Sequence, residues 1–331
     1  MPASLAADIK AKVFGRDVDP AARRPNLALL LAFGAFVVIA GINAVAVKIS
    51  NEGLAPFWGG TLRFGLAGLL FAHWAVAFRL PFPRGRALVG ATLFGAIGFG
   101  ISYAMAYWSL LGITAGLLSV LVAMAPLLTI LLASAHRLEH IRPRHLAGGG
   151  LALVGIALMV AKGIGADVSW PHLFAGLLMP IAIAESGVIA KQFPRAHPVT
   201  TNAVAMAVGT GLLFVASLVA GETHALPSNV RVGSALVYLV LVGSIAMFTL
   251  FLFVLHRWTV SATSYQAVLS PIVTILVASQ LVGESVTWMF AAGAAIVLAA
   301  VYVGAVRRPP RESSTTASTA KPPDEAAART D

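Results

Sequence analysis

The chain has 331 residues, 58% of them hydrophobic and only 11% charged, against about 25% charged in soluble domains. A mean hydropathy of +0.86 excludes an ordinary soluble globular protein, because the polar surface such a protein needs is missing. The net charge of +10 would suggest nucleic acid in a soluble chain. Here the cations stand beside apolar runs and read as topology signals and contacts to anionic lipid. There is no cysteine, so disulfides, thiolate metal sites and cysteine nucleophiles are excluded.

Residues 1–26 have no apolar core and carry Asp8, Asp17 and Asp19 among five cations, unlike a cleavable signal. They read as a polar cytoplasmic tail. Leu5, Ile9 and Val13 recur at i, i+4, i+8, the spacing of a short interfacial helix. Crossing the hydrocarbon takes about 20 apolar residues. Ten such runs follow, at 27–49, 56–78, 88–110, 113–135, 145–162, 170–193, 199–221, 231–255, 261–280 and 286–306. Short connections rich in Pro or charge join them. Residues 307–331, built of Pro, Ser, Thr, Ala and charges, read as a disordered cytoplasmic tail.

Of the 23 Lys and Arg, 19 fall on one side of this ten-span scheme. They occupy the two tails, the segments around Arg79–Arg86 and Arg137–Arg144, and Lys191, Arg195 and Arg257. Only Lys48, Lys162 and Arg231 fall on the other side, and Arg63 lies within a span. The positive-inside rule places the larger group, with both termini, in the cytoplasm. A missed or extra helix would have scrambled this separation.

The chain also repeats itself. Ser119–Ser134, with Pro126 near its middle, reappears as Ser264–Ser279 with Pro271, at an offset of 145. The same offset carries Thr114 onto Thr259, Glu139 onto Glu284 and Gly148 onto Gly293. Five helices per half is odd, so the second half enters from the opposite face. The expected fold is an all-α polytopic membrane protein whose ten transmembrane helices form two inverted five-helix repeats, 27–162 and 170–306, around a central cavity. Internal duplication of this kind is the pattern of secondary transporters, whose substrate sits near mid-membrane where the repeats meet.

These stretches, Leu117–Glu139 with Gly148 and Ala262–Glu284 with Gly293, resemble the duplicated EamA-type domain of the drug/metabolite transporter superfamily. Lys48 and Lys191, at the ends of spans one and six, match a further pair. The resemblance covers about 27–306. One departure is His136-Arg137-Leu138-Glu139, where the family usually has Gly before Glu; Val282-Gly283-Glu284 keeps it. The run Gly100–Trp108 is rich in aromatics and looks like the corresponding span of aromatic amino acid exporters of the YddG type. The resemblance implies an inner-membrane carrier that exports amino acids or similar small metabolites by alternating access. Aromatic amino acids are favoured and small neutral ones such as threonine are included. Export of other metabolites or drugs by proton antiport is the alternative. A membrane enzyme would normally need clustered His and carboxylates, and a scaffold leaves the duplication unexplained.

Ionisable groups inside hydrocarbon are costly and face a cavity or a partner. Glu185 is the one carboxylate well within an apolar run, close to Pro180, which cannot donate to the helix ladder. It suits ammonium recognition or proton exchange; the alternatives are packing between helices or a pair with Lys191. Arg63 and His73 lie ten residues apart in span two, about 15 Å along a helix, and so are not one site. Arg63 either snorkels to the outer interface or serves as a carboxylate anchor or gate. His73, beside Trp74, reads as an interfacial anchor.

Tyr103 and Tyr107 share a helix face and are candidates to line the cavity, while Trp108 suits the aromatic belt. The repeat places Phe248 and Leu252 opposite them, a more apolar wall. Asn43 pairs across the repeat with Ser186 at an offset of 143. The two could bind a polar substrate or glue helices together. Ser119, Tyr265 and Gln266 join the substrate-binding candidates, with Gln266 the amide most in need of a partner. Pro126 and Pro271 are expected to bend spans four and nine symmetrically, as architecture or hinge. No metal-ligand constellation and no Walker motif is present, so no cofactor is expected and no ATPase partner is evident. The expected partners are a small-molecule substrate and the lipid bilayer.

Overall fold

The computed structural model describes residues 27–136, 143–162, 169–194, 196–257 and 265–302, which are helical apart from short turns. Helix α1 spans Leu27–Ser50 and α2 spans Pro56–Ala77. Helix α3 runs over Arg86–Ser109; its middle, Gly95–Ile101, is π-helical. The fourth predicted span is two helices, α4 (Ala115–Val122) and α5 (Ala125–Ala135). Then come α6 (Pro143–Lys162), α7 (Trp170–Gln192) and α8 (Pro198–Val219). Helix α9 occupies 230–257, again with a π-helical middle, Leu241–Ala246. The described chain ends with α10 (Tyr265–Leu281) and α11 (Trp288–Val301). The two tails predicted at 1–26 and 307–331 lie outside the described residues.

Local chemistry explains the starts. Pro56 and Pro198 open α2 and α8, where the missing N–H costs nothing and the fixed φ suits a helix. The side chains of Thr114, Asn229 and Thr287 accept from the amides of Leu117, Val232 and Phe290, satisfying donors that the first turn would otherwise leave orphaned. Seven helical stretches are long and apolar enough to cross a membrane: α1, α2, α3, Ala115–Leu132, Trp170–Ala190, α8 and Val230–Phe251. Leu146–Met159, Leu269–Leu281 and Trp288–Val301 are shorter apolar helices.

The expected symmetric bending at the two prolines takes two different forms. Met124 and Ala123 leave the α-helix just before Pro126, which opens α5. Pro271 instead lies inside the unbroken α10, where its ring removes one ladder hydrogen bond without ending the helix.

The two halves of the chain are packed into each other rather than side by side. Helix α2 lies along α8, α6 along α11, α1 along α10, and α5 along α7. One core cluster gathers Val45, Leu117, Leu121, Met159 and Val297; the other gathers Phe64, Phe71, Phe99, Met206 and Leu213. Many large apolar side chains face outward, among them Leu69, Val76, Leu153, Phe174 and Leu276, each more than 60% exposed. In water such a surface would aggregate; against lipid it is the expected solvent-facing side.

The α6–α11 contact is a reciprocal close backbone approach between the halves. A Cβ on Gly155 would stand 2.7 Å from the carbonyl oxygen of Gly293, and one on Gly293 would stand 2.6 Å from that of Gly155. Small residues that let backbones touch are the usual glue of membrane helices. Gly293→Val should therefore destabilise the protein by about 1–3 kcal/mol through overpacking against backbone that cannot yield. Gly34→Val, where no heavy atom lies within 4 Å, should change little. Melting temperatures of the purified variants in detergent check the contrast.

Candidate functional site

A cavity of about 380 Å³ opens between the halves of the chain, within the range typical of small-molecule sites. Its wall draws on α1, α2, α3, α4, α7, α9 and α10. One side is aromatic. Phe36, Phe94, Phe99, Tyr103, Phe248 and Phe251 all line it, and Phe99 is the hub. Its ring meets those of Phe94 and Phe248 at 5.6 Å, stacks on Tyr103 at 6.2 Å, and meets the buried Phe64 edge-on at 5.2 Å. Such tilted and stacked pairs hold rings in place more firmly than area burial alone.

The other side is polar. Asn43, Arg63, Ser119, Ser186, Gln266, Ser270 and Thr274 contribute to it. Ser119 donates to the carbonyl of Gly116, Ser186 to that of Ile183, and Thr274 to that of Gly41. Each hydroxyl proton is thus spent on a helix carbonyl, and what remains on the oxygen is acceptor capacity.

The two π-helices place the polar groups. They coincide under the repeat offset: Gly98 in the first corresponds to Gly243 in the second. Asn43 lies against Gly243, and its amide nitrogen sits 3.3 Å from that residue's carbonyl and 3.1 Å from the Met247 sulfur. Its repeat counterpart Ser186 lies against Gly98, with the oxygen 3.0 Å from where a Cβ would be. A side chain at either glycine would displace the polar group facing it.

Arg63 breaks this symmetry. With Pro56 aligned on Pro198, its counterpart is Ala205. The side chain is fully buried, so the snorkelling expected from the sequence does not occur. Eight residues into α2, it is held inward by hydrogen bonds to α9. Nη2 donates to the carbonyl of Gly243 at 3.0 Å and Nε to Ser244 Oγ at 3.2 Å. The guanidinium carbon lies 4.9 Å and 5.1 Å from the ring centroids of Phe64 and Tyr103. Nη1 has no hydrogen-bond partner.

Other candidates are placed differently. Tyr107 is fully buried and stands behind the wall rather than in it. Its hydroxyl also lacks a hydrogen-bond partner and is near enough to Arg63 to feel its charge. Glu185, expected as a substrate-binding or coupling group, faces away from the cavity. It pairs with His136 of the α5 C-terminus at 3.0 Å, and the two side chains are 24% and 37% exposed. His136 also bonds Gln192. The physical reason is helical phase: Ser186, the next residue, takes the cavity-facing position. Phe248, Ser119 and Gln266 are in the lining as expected. The Tyr265 side chain, with Ser264 and Glu139, lies outside the described residues. Among the wall residues that sequence reasoning missed are Phe36, Phe94, Phe99, Phe251, Ser270 and Thr274. Only the pseudo-symmetry of the π-helices, which leaves no mark in composition, would have pointed to Phe99.

One end of the bundle is tied by ions. Lys48 of α1 meets Glu284, between α10 and α11, at 2.8 Å. The same carboxylate accepts from the amides of Ala115 and Gly116 at 2.7 and 3.1 Å, capping α4. Lys48 also donates to the carbonyl of Ile113. Nearby, Glu222 accepts from the amides of Phe57 and Trp58, capping α2. Arg231 pairs with Glu52 through two hydrogen bonds.

Compared with known proteins, the model of the EamA-like transporter family matches this chain twice, over residues 26–161 and 170–305. The chain belongs to the EamA-like transporter family. It is thus an integral membrane transporter and not an enzyme. Similar curated proteins include a probable amino-acid metabolite efflux pump of Salmonella typhimurium, 26% identical over 81% of this chain and 91% of that protein. An uncharacterized inner membrane transporter, YedA, of Escherichia coli is 28% identical over 80% of this chain and 86% of that one. A probable terminal-alkyne amino-acid exporter of Streptantibioticus cattleyicolor is 25% identical over 77% and 86%. A solved crystal structure superimposes with a TM-score of 0.57 at 17% identity, covering 84% of this chain and 96% of the other; that likeness speaks to the fold alone.

Within this EamA-like architecture the ties differ in strength. Glu284 is only 9% exposed and carries both an ion pair and a helix cap. Glu284→Ala should cost about 2–4 kcal/mol, and Lys48→Met distinctly less because the cap on α4 survives. Glu185→Gln, in an exposed pair, should cost less than about 1 kcal/mol. Thermal unfolding of the three variants in one detergent ranks them; equal losses for Glu284→Ala and Glu185→Gln would contradict this assignment.

Proposed function

We propose that this protein is a secondary exporter of amino acids, aromatic ones above all, working by alternating access in the inner membrane. The observation that carries the reading is the cavity walled by helices from both family-model matches. Substrate sites of duplicated carriers sit at such a repeat interface. The names of the Salmonella and Streptantibioticus relatives support amino acids as cargo. The six aromatic rings of the wall support a flat or bulky apolar side chain on the substrate.

In this reading the chain crosses the membrane ten times as two inverted five-helix repeats, with both termini in the cytoplasm. The coincidence of the two π-helices under the repeat offset, and the paired contacts Asn43–Gly243 and Ser186–Gly98, support the pseudo-symmetry. The end tied by Lys48–Glu284 is then the outer one, and the bias of Lys and Arg supports that orientation. Substrate enters from the cytoplasm, packs against Phe99, Tyr103 and Phe248, and leaves once the outer ties open.

Counterflow of labelled phenylalanine, tryptophan and threonine in proteoliposomes, with and without an imposed pH gradient, tests this. Phenylalanine and tryptophan should exchange. Tyr103→Ala and Phe248→Ala should lower their uptake about two- to tenfold, the worth of an aromatic pair, and lower threonine uptake less. Glu185→Gln should leave counterflow intact, since its carboxylate stands outside the cavity. Loss of all three fluxes in folded protein would overturn the amino acid reading, and equal loss for aromatic and small substrates would overturn the role of the rings.

A further inference from the structure

The cavity wall carries one buried cation and no described carboxylate. The described residues include four acidic side chains: Glu52, Glu185, Glu222 and Glu284. Each is committed elsewhere, to Arg231, His136, the α2 amides and the Lys48–α4 tie respectively. None lines the cavity. Arg63 therefore sits inside an apolar bundle with only neutral partners, a carbonyl, a hydroxyl and two ring faces. A guanidinium cannot escape by losing its proton, and a buried charge of this kind is normally balanced by an opposite one. Arg63 Nη1 is also left without a hydrogen-bond partner in the buried setting. Buried donors without partners are rare and mark a place where something else binds.

We propose that Arg63 is the anchor for the substrate's carboxylate, and that the site selects zwitterionic amino acids over cationic amines and uncharged analogues. This rests on the exporter reading and narrows it. A planar carboxylate matches the fork of a guanidinium, and Arg63 is the cation that the cavity lining presents. In the present conformation the Tyr103 and Phe64 rings shield the cation; a carboxylate replaces that weak shield with charge-assisted bonds. The ammonium end finds no carboxylate. It is met instead by the oxygens of Ser119, Ser186 and Thr274, whose own protons are already donated to helix carbonyls. Neutral acceptors balance a zwitterion's ammonium but leave the net positive charge of an amide or amine facing Arg63 uncompensated. The class of cationic drugs is excluded on the same ground.

The test compares thermal stabilisation of the full-length protein in detergent by phenylalanine, leucine and threonine with that by the amide and the decarboxylated amine of each. At least one free amino acid should raise the melting temperature, and its amide and amine should need a tenfold or greater concentration for the same rise. Arg63→Gln should abolish the preference for the free acid, and Arg63→Lys should keep part of it. The readout is the response to ligand, so a lower starting melting temperature does not obscure it; if Arg63→Gln does not fold, the acid–amide comparison on the parent protein decides alone. Amides that stabilise as well as acids, no stabilisation by any free acid, or an Arg63→Gln protein that still prefers the acid would each overturn the proposal. Counterflow of the same compounds separates the two readings. Exchange that treats acid and amide alike sinks the anchor and leaves the exporter, whereas acids that bind but never exchange sink the exporter and leave the anchor.

Discussion

In hydrocarbon every backbone N–H and C=O must find its partner within the chain, and this constraint decides where the protein is irregular. The helix ladder is interrupted at five described places: the π-helices Gly95–Ile101 and Leu241–Ala246, the break at Ala123–Met124, and the interior prolines Pro180 and Pro271. All five border the cavity, through Gly98 and Phe99, Phe248 and Met247, Val122, Met179 and Ile183, and Ser270 and Thr274. A carbonyl released by a π-turn or a proline costs several kcal/mol against lipid tails. Against a cavity it becomes a ligand or a partner for an inward side chain. The Gly243 carbonyl is the clearest instance, since it accepts from both Asn43 and Arg63.

The charged residues obey the same economy at larger scale. Three of the four described carboxylates, Glu52, Glu222 and Glu284, sit just beyond helix ends, where they cap orphan amides or meet a cation from another helix. Glu284 does both at once, joining α1, α4 and the α10–α11 turn. Helix N-termini attract anions in any solvent, but here the caps also choose which helices stay together. The apolar middle of the bundle is left free for packing, which the glycine-lined contact between α6 and α11 brings to backbone distance.

Much of this could be read from the chain alone. Hydropathy located the apolar helices to within a few residues, because it follows directly from the cost of burying polar groups in lipid. The duplication singled out Asn43, Ser186 and Phe248, and the cost of a lone amide in lipid singled out Gln266; with Ser119 they line the cavity. Where the placement differs from the expectation, the causes are physical too. Glu185 was singled out for its charge, yet helical phase turned Ser186 inward instead. Arg63 stood close enough to the end of its run to snorkel, and only the π-helix opposite, invisible in composition, supplied the carbonyl and hydroxyl that hold it inside. Phe99 belongs to an unremarkable apolar run and becomes the hub of the aromatic wall only once the π-turn has shifted its phase.

The fixed charge of Arg63 also has an electrical consequence. A unit charge moved through the whole membrane potential changes energy by about 2.3 kcal/mol per 100 mV, and a fraction of that applies to a charge shifted partway. A carrier bearing a zwitterion keeps the net charge of the empty carrier, whereas one bearing an anion without an ammonium cancels it. For a reorienting carrier in which Arg63 holds the carboxylate, membrane voltage would therefore act equally on the loaded and empty steps for amino acids, and unequally for simple carboxylic acids. The charge state of the cargo, rather than its side chain, then sets how far the resting potential drives or holds the cycle.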